Sequence, residues 1–204
     1  MPRPAKHAHA QILDAAAAIV SRQGPNAATV NAIAHAIGAP NGSIYHRFRT
    51  RDELLGRLWL RTAARFQDAF AEELKRSDAM QAGLHAALSI ARVARLDAEA
   101  ARIMLLYRRE DFLSGAWSRE LSAEAERLGA QAKDGLDGLT RRLFGKLNTA
   151  HRQITSFATL DVPYAAVRRY VGKGESPPPL VDRLITNAYG AVMAEERPRG
   201  RADG

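Results

Sequence analysis

Apolar residues recur along this chain at the three- and four-residue steps of amphipathic α-helices, and no stretch shows the alternation of a half-buried strand. The first such pattern covers residues 10–22. Its apolar positions, at i, i+3, i+4, i+7 and i+8, are Ile12, Ala15, Ala16, Ile19 and Val20. Gly24 and Pro25 follow and end it. The pattern predicts a helix that packs one face into a core.

Two short helices around a tight turn are predicted between Thr29 and Arg47. After Thr29, a suitable N-cap, one apolar stripe is formed by Val30, Ile33, Ala34 and Ile37. Gly38 supplies the left-handed conformation that ends a helix, and Pro40 can open the next one. The turn is therefore about four residues long, as a helix-turn-helix requires.

The second helix of this pair, predicted over residues 40–47, has a narrow apolar face made by Ile44 and Phe48. Its other positions are polar or small: Asn41, Gly42, Ser43, Tyr45, His46 and Arg47. Such a helix suits the major groove of DNA. The alternative is a helical hairpin inside a core, which would not leave Tyr45, His46 and Arg47 side by side outside its apolar face.

The residues of this region divide into two predicted roles. We expect Asn41, Ser43 and His46 to contact bases, with Gly42 allowing a close approach. Phosphate contacts are predicted for Thr29, Tyr45, Arg47 and Arg51. Arg51 is included because Thr50 and Glu53 form a capping box, so that a helix N-terminus and a cation could bind one phosphate together.

The rest of the chain continues as helices. They are predicted over residues 51–76, from Asp78 to about Ala94, over 97–107, over 121–143, over 149–171 with a kink at Pro163, and over 180–192. The fold class is therefore all-α. Ala, Gly and Leu on the last two long helices suggest a bundle completed by a second subunit.

The N-terminal region resembles the TetR family of bacterial transcriptional regulators. The residues that match its pattern are Thr29-Val30, Ile33-Ala34, Gly38, Gly42-Ser43, Tyr45, Phe48, Arg51 and Leu54. Arg47 and Arg51 stand where many members have His and Lys, and both keep a donor for phosphate. The resemblance implies a homodimer joined through the last two long helices, near residues 149–171 and 180–195.

The predicted organisation follows from this reading. Residues 1–50 form a helix-turn-helix DNA-binding domain with a basic arm at 1–9, which either touches DNA or is only a frayed terminus. Residues 51–196 form a helical effector-binding and dimerisation domain. A disordered tail is expected at 197–204.

Charge and composition add modest support. The 204 residues carry a formal net charge of +8, which favours a polyanionic partner although arginine-rich chains reach such values without one. Up to residue 49, Asp14 is the only acidic residue, against several cations. Cysteine is absent, and neither a membrane span nor a signal peptide is visible, so we expect a cytoplasmic protein.

No pattern of catalytic or metal-binding residues emerges. Glu110 and Asp111 are adjacent, the histidines lack ligand spacing, and no glycine-rich loop follows a strand, so neither an enzyme nor a cofactor or metal site is predicted. Candidate liners of an effector pocket are Trp59, Phe66, His85, Met104, Tyr107, Trp117 and Phe157. For each of them core packing is the alternative.

The sequence leads to a regulator that binds double-stranded DNA, a palindromic operator, as a homodimer. The main hypothesis is a repressor released from DNA by a small apolar or aromatic effector. An effector-independent architectural or cofactor-recruiting DNA-binding protein is the alternative. An all-α enzyme or interaction module with a vestigial helix-turn-helix is a third class, which the residues of the helix-turn-helix speak against.

Overall fold

The computed structural model describes residues 5–112 and 117–196, and within them every regular element is a helix. The α-helices are α1 (Ala5–Gln23), α2 (Val30–Ala36), α3 (Asn41–Tyr45), α4 (Arg51–Leu74), α5 (Ala79–Leu96), α6 (Ala98–Leu106), α7 (Arg119–Phe144), α8 (Thr149–Ser156), α9 (Val162–Val171) and α10 (Pro179–Glu196). The all-α prediction is confirmed. None of these helices is long and apolar enough to cross a bilayer.

The first helix begins earlier than predicted. It starts at Ala5 rather than Ala10, so residues 5–9 of the predicted arm are helical. Alanine at several of the added positions favours helix, and the ring of His9 packs on that of Phe48 with a centroid distance of 4.4 Å. The remaining arm residues 1–4 and the predicted tail 197–204 lie outside the described residues.

The described residues form two compact units that differ from the domains predicted. The N-terminal unit joins the chain up to Arg65 to residues 97–128, and the C-terminal unit joins residues 66–96 to the chain from Gly129 onward. Leu54, Leu58 and Ile103 belong to the core of the N-terminal helices, while the predicted division into a DNA-binding and an effector domain after residue 50 stays a prediction. Such contacts between distant segments leave no local sequence signal.

The core of the N-terminal unit is built from the apolar faces that the periodicity indicates. Fully or almost fully buried side chains at its centre are Ile12, Ala16, Val20, Ile33, Ile44, Phe48, Leu54, Leu55, Leu58, Ile103 and Phe112. Arg102 of α6 donates from Nε to the carbonyl of Ser21 in α1. The core therefore supports α2 and α3 on the longer helices α1, α4 and α6.

The C-terminal unit contains α5, α8, α9 and α10, with a core that includes Ala82, Leu139, Leu143, Ala158, Tyr189 and Met193. Its α5 and α10 approach closely at Gly83, where a Cβ would lie 2.2 Å from the Tyr189 hydroxyl oxygen. Any side chain at position 83 would have to displace that ring. The glycine is thus a packing requirement of this unit.

A buried carboxylate joins α7 to α8 in the C-terminal unit. Asp137 accepts from Arg152 Nε at 2.6 Å and from Lys133 Nζ at 2.9 Å. The hydrogen bonds from Arg152, and then those from Lys133, hold the pKa of Asp137 far below its usual range. The carboxylate stays ionised and paired inside the unit, as a buried charge must.

The kink predicted at Pro163 takes the form of a π-helical turn over Phe157–Asp161, between α8 and α9. The amide of Val162 donates to the carbonyl of Phe157, five residues earlier. Proline lacks an N–H and would clash with the carbonyl four residues before it, so a widened turn accommodates Pro163 without interrupting the helix. The path from Thr149 to Val171 remains helical throughout.

Candidate nucleic-acid interface

The turn between α2 and α3 has the predicted capping residues. Thr29 is the N-cap of α2, its Oγ1 accepting from the amide of Ala32 at 3.1 Å. Gly38 has a φ of +64°, a value that favours glycine. Pro40 stands at the N-cap of α3. These local predictions are confirmed.

The helix α3 is shorter than predicted, spanning Asn41–Tyr45 instead of residues 40–47. Its apolar face is as expected, since Ile44 and Phe48 are buried. Asn41, Gly42, Tyr45, His46 and Arg47 are exposed and Ser43 is half-buried. The buried apolar side chains therefore hold α3 in place while a row of polar side chains faces solvent. A helix that binds in a DNA groove requires this arrangement.

An open cleft of about 550 Å³ lies beside α3 and is lined by His9, Ser43, His46 and Arg47. Arg47 Nη1 also donates to the carbonyl of Ser43 at 2.9 Å. Partial burial, followed by the charges of Arg57, Arg47 and Arg61, lowers the pKa of His9 below its ordinary value. The positive charges of Arg57, Arg47 and Arg61 near His9 make this cleft favourable to anions.

Arg51, for which a phosphate contact is predicted, donates two hydrogen bonds to backbone carbonyl groups. Its Nε donates to the carbonyl of Ala28 at 3.1 Å and its Nη2 to that of Pro25 at 2.5 Å. The guanidinium thus ties the start of α4 to the short 3-10 turn Pro25–Ala27 that precedes α2. These two bonds give Arg51 a structural role, while a phosphate contact through its other N–H groups stays a prediction.

The capping box that opens α4 is present in a modified form. The amide of Glu53 donates to Thr50 Oγ1 at 3.0 Å, as predicted. The Glu53 carboxylate accepts from the amide of Arg49 at 2.8 Å, rather than from that of Thr50. The cap orients the segment that connects α3 to α4.

Two residues of the interface were not found by sequence reasoning. Asn31 of α2 accepts a hydrogen bond from the side chain of Asn41 in α3, and His9 of α1 lines the cleft beside α3. The only signal for Asn31 is a polar residue on the outer face of α2. Both contacts join residues on different helices, so the helix periodicity could not predict them.

The candidate effector residues divide between the two units. Trp59, Met104, Tyr107 and Trp117 belong to the N-terminal unit, whereas Phe66, His85 and Phe157 belong to the C-terminal one. Trp59 and Trp117 meet edge to face at a centroid distance of 5.8 Å, and Tyr107 meets Phe112 in the same way at 6.4 Å. Trp59, Trp117 and Tyr107 therefore contribute to packing. A ligand contact by any of these candidate residues stays a prediction.

Phe157 does not line an internal pocket. Its side chain is 49% exposed and borders an open groove with Gln153, Ile154, Val192 and Glu195. Phe157 thus lies at the surface of the C-terminal unit, and a ligand contact by it stays a prediction.

Comparison with known proteins bears on these observations. Residues 12–58 match the family model described as "Bacterial regulatory proteins, tetR family". A search of curated protein sequences found no match. The matched segment contains α2, α3 and the start of α4, which are the elements of the candidate interface.

Solved structures of regulators share the fold. The fatty acid degradation regulator FadR from Bacillus halodurans has 20% identity and a TM-score of 0.69, with 98% of this chain and 100% of that chain covered. FadR from Bacillus subtilis in complex with stearoyl-CoA has 18% identity and a TM-score of 0.70, with 91% and 97% covered. A TetR-like regulator from Rhodococcus sp. RHA1 has 16% identity and a TM-score of 0.71, with 96% and 100% covered. The exposed polar face of α3 thus lies in the segment that matches the tetR family model, and the chain shares the fold of these solved regulators.

Proposed function

We propose that this regulator is a homodimeric repressor that binds a palindromic operator through α2 and α3 and leaves it when a small apolar or aromatic effector binds. The observation that carries the DNA-binding part is the exposure of α3. Asn41 and Tyr45 of α3, with His46 and Arg47 of the turn that follows it, face solvent, while Ile44 and Phe48 anchor this segment in the core. Such an arrangement fits the major groove, where base edges carry a distinct donor and acceptor code.

The proposed contacts keep most of the predicted division into residues that contact bases and residues that contact phosphates. Asn41, Ser43 and His46 contact bases, while Tyr45 and Arg47 contact phosphates. Thr29 joins the phosphate contacts because its Oγ1 accepts the Ala32 amide and leaves the hydroxyl hydrogen for an anion. Arg51 is left out of the proposed contacts because two of its N–H groups hold its guanidinium against the carbonyls of Ala28 and Pro25.

Dimerisation is proposed through the C-terminal unit. Large apolar side chains that remain exposed on α9, α10 and the π-helical turn are Phe157, Tyr164, Leu180 and Leu184. Exposed apolar groups on adjacent helices are typical of a surface that a second subunit covers. A two-fold axis would then set the two α3 helices about 34–36 Å apart, one turn of DNA.

The effector class is proposed from chemistry and from one relative. FadR from Bacillus subtilis was solved in complex with stearoyl-CoA, a molecule with a long apolar chain. The candidate contacts are the aromatic and apolar residues Trp59, Phe66, His85, Met104, Tyr107 and Trp117. The helix α4 starts in the N-terminal unit and ends in the C-terminal one, so a ligand that shifts this helix can affect α3.

The test is a pair of titrations on DNA fragments selected from random sequence. Stearoyl-CoA is the first probe, and operator affinity is measured with and without it, as is its own affinity with and without operator. A coupling energy of about 1–3 kcal/mol would weaken both affinities by the same factor, roughly 5- to 150-fold.

Three outcomes contradict parts of the proposal. If selection enriches no inverted repeat, binding to a palindromic operator is contradicted. Equal affinities in both titrations, with tight ligand binding, favour the effector-independent alternative. If the ligand strengthens operator binding, the proposed release from DNA is contradicted and the ligand acts as a co-repressor or activator of DNA binding. In contrast, failure of stearoyl-CoA alone to bind moves the search to smaller aromatic compounds and contradicts only the acyl class.

A further inference from the structure

The side chains of Asn31 and Asn41 join α2 to α3 at the exposed surface of the candidate interface. Asn41 Nδ2 donates a hydrogen bond to Asn31 Oδ1, and both residues are exposed. The helices behind them are anchored, since Ile33 of α2 and Ile44 of α3 are fully buried. The core therefore holds the two backbones, and the hydrogen bond orients the exposed carboxamide of Asn41.

We propose that Asn31 positions the carboxamide of Asn41 to recognise adenine, so that each half-site contains one A·T pair read by Asn41. Asn31 is then a positioning residue, acting through Asn41. The inference rests on the proposed operator binding and adds to it a base identity and a residue on α2.

The chemistry of the amide leads to adenine. A carboxamide has one carbonyl acceptor and two N–H donors, and the bond to Asn31 uses one of those donors. The remaining N–H and the carbonyl match the N7 acceptor and the N6 amino donor that adenine presents in the major groove. Guanine presents two acceptors there, so its O6 would face the carbonyl of Asn41 and be rejected.

Positioning matters because little else restrains Asn41. It is the first residue of a helix of five residues, its N-cap Pro40 makes no side-chain capping bond, and its side chain is exposed. Without Asn31 the amide could rotate among several rotamers and would lose that freedom on binding DNA. A bond made before binding reduces this loss.

The experiment compares base preference in four proteins: wild type, Asn41→Ala, Asn31→Ala and the double variant. Replacing the A·T pair should weaken wild-type binding roughly 5- to 150-fold, and Asn41→Ala should abolish that preference while leaving the other positions unchanged. Asn31→Ala should reduce the same preference by about 2- to 13-fold. In the Asn41→Ala background, Asn31→Ala should add nothing, because the residue acts through Asn41.

Two further variants separate positioning from other effects. Asn31→Asp retains an acceptor for Asn41 Nδ2, so the adenine preference should survive although the added negative charge weakens binding to all sequences. His35→Ala, at another exposed position of α2, should leave the A·T preference intact. Circular dichroism melting identifies any variant that has lost its fold.

The outcomes distinguish this inference from the proposed function. If wild type enriches no operator, the proposed function fails and this inference fails with it. An enriched operator at which Asn31→Ala and Asn41→Ala act additively overturns the inference alone, because Asn31 would then contact DNA by itself. If an operator is enriched but Asn41→Ala changes the preference for no adenine in it, this inference is overturned and the proposed function is not.

Discussion

At the scale of single residues, the candidate interface contains a glycine, Gly42, whose lack of a side chain has a proposed role in DNA binding. Gly42 lies in α3, is exposed, and a Cβ built there would meet no atom of the described residues within 4 Å. The fold therefore does not require glycine at this position. A close approach of the backbone to DNA would require it.

We expect Gly42→Ala to stabilise the fold and weaken operator binding. Alanine favours helix over glycine by about 0.5–1 kcal/mol, whereas the added methyl group would stand between α3 and the groove. Gly138→Ala is the matched control, since position 138 lies in α7 and a Cβ there also meets no described atom within 4 Å. Thermal melting and operator titration of both variants test this, and unchanged affinity in Gly42→Ala would argue against a close approach there.

At the scale of elements, the two arginines near the interface have different tasks. Arg51 joins the start of α4 to the turn before α2 through two carbonyl groups. In contrast, Arg47 is exposed and donates to the nearby carbonyl of Ser43. The first is a bond between elements. The second leaves donors for a phosphate.

Replacing each arginine by alanine should separate these tasks. Arg51→Ala should lower the free energy of unfolding by about 1.5–3 kcal/mol, because its bonds to the carbonyls of Pro25 and Ala28 are charge-assisted. Arg47→Ala should change stability little and lower the slope of log K against log[salt] by about one. Chemical denaturation and salt titration of DNA binding measure both. A stable Arg51→Ala protein with the reduced salt slope would restore Arg51 to the phosphate contacts.

At the scale of the whole molecule, the proposed dimer requires a surface that a second copy of the chain can cover. Leu184 of α10 is 51% exposed, although its neighbour Ile185 is buried in the C-terminal unit. A half-exposed leucine contributes little to the fold of one chain, so its place on this surface is explained by the proposed partner.

We expect Leu184→Glu to give a folded monomer that no longer binds the operator tightly. A charge at the centre of an apolar interface would be buried without a partner, which strongly disfavours association. Thr186→Glu is the control, an exposed position on the other flank of α10. Light scattering gives the mass and circular dichroism the fold. A dimeric Leu184→Glu protein with wild-type operator affinity would place the interface elsewhere.

The sequence by itself determined what depends on neighbours within one or two helical turns. Helix periodicity, the Thr29 cap, the left-handed Gly38 and the capping bond from Glu53 to Thr50 are all interactions of this range, and each appears as predicted. The family pattern is of the same local kind. These features follow from the spacing of residues because a helix places positions three and four apart on one face.

Only the tertiary structure decided the contacts between distant segments. Arg51 bonds to carbonyls 23 and 26 residues away, Asn41 bonds to Asn31 across the turn, and His9 packs on Phe48. The division into two discontinuous units belongs to the same class. A side chain with several possible partners takes the one that the packed core brings within reach, and the core is assembled from apolar faces that are far apart in the chain.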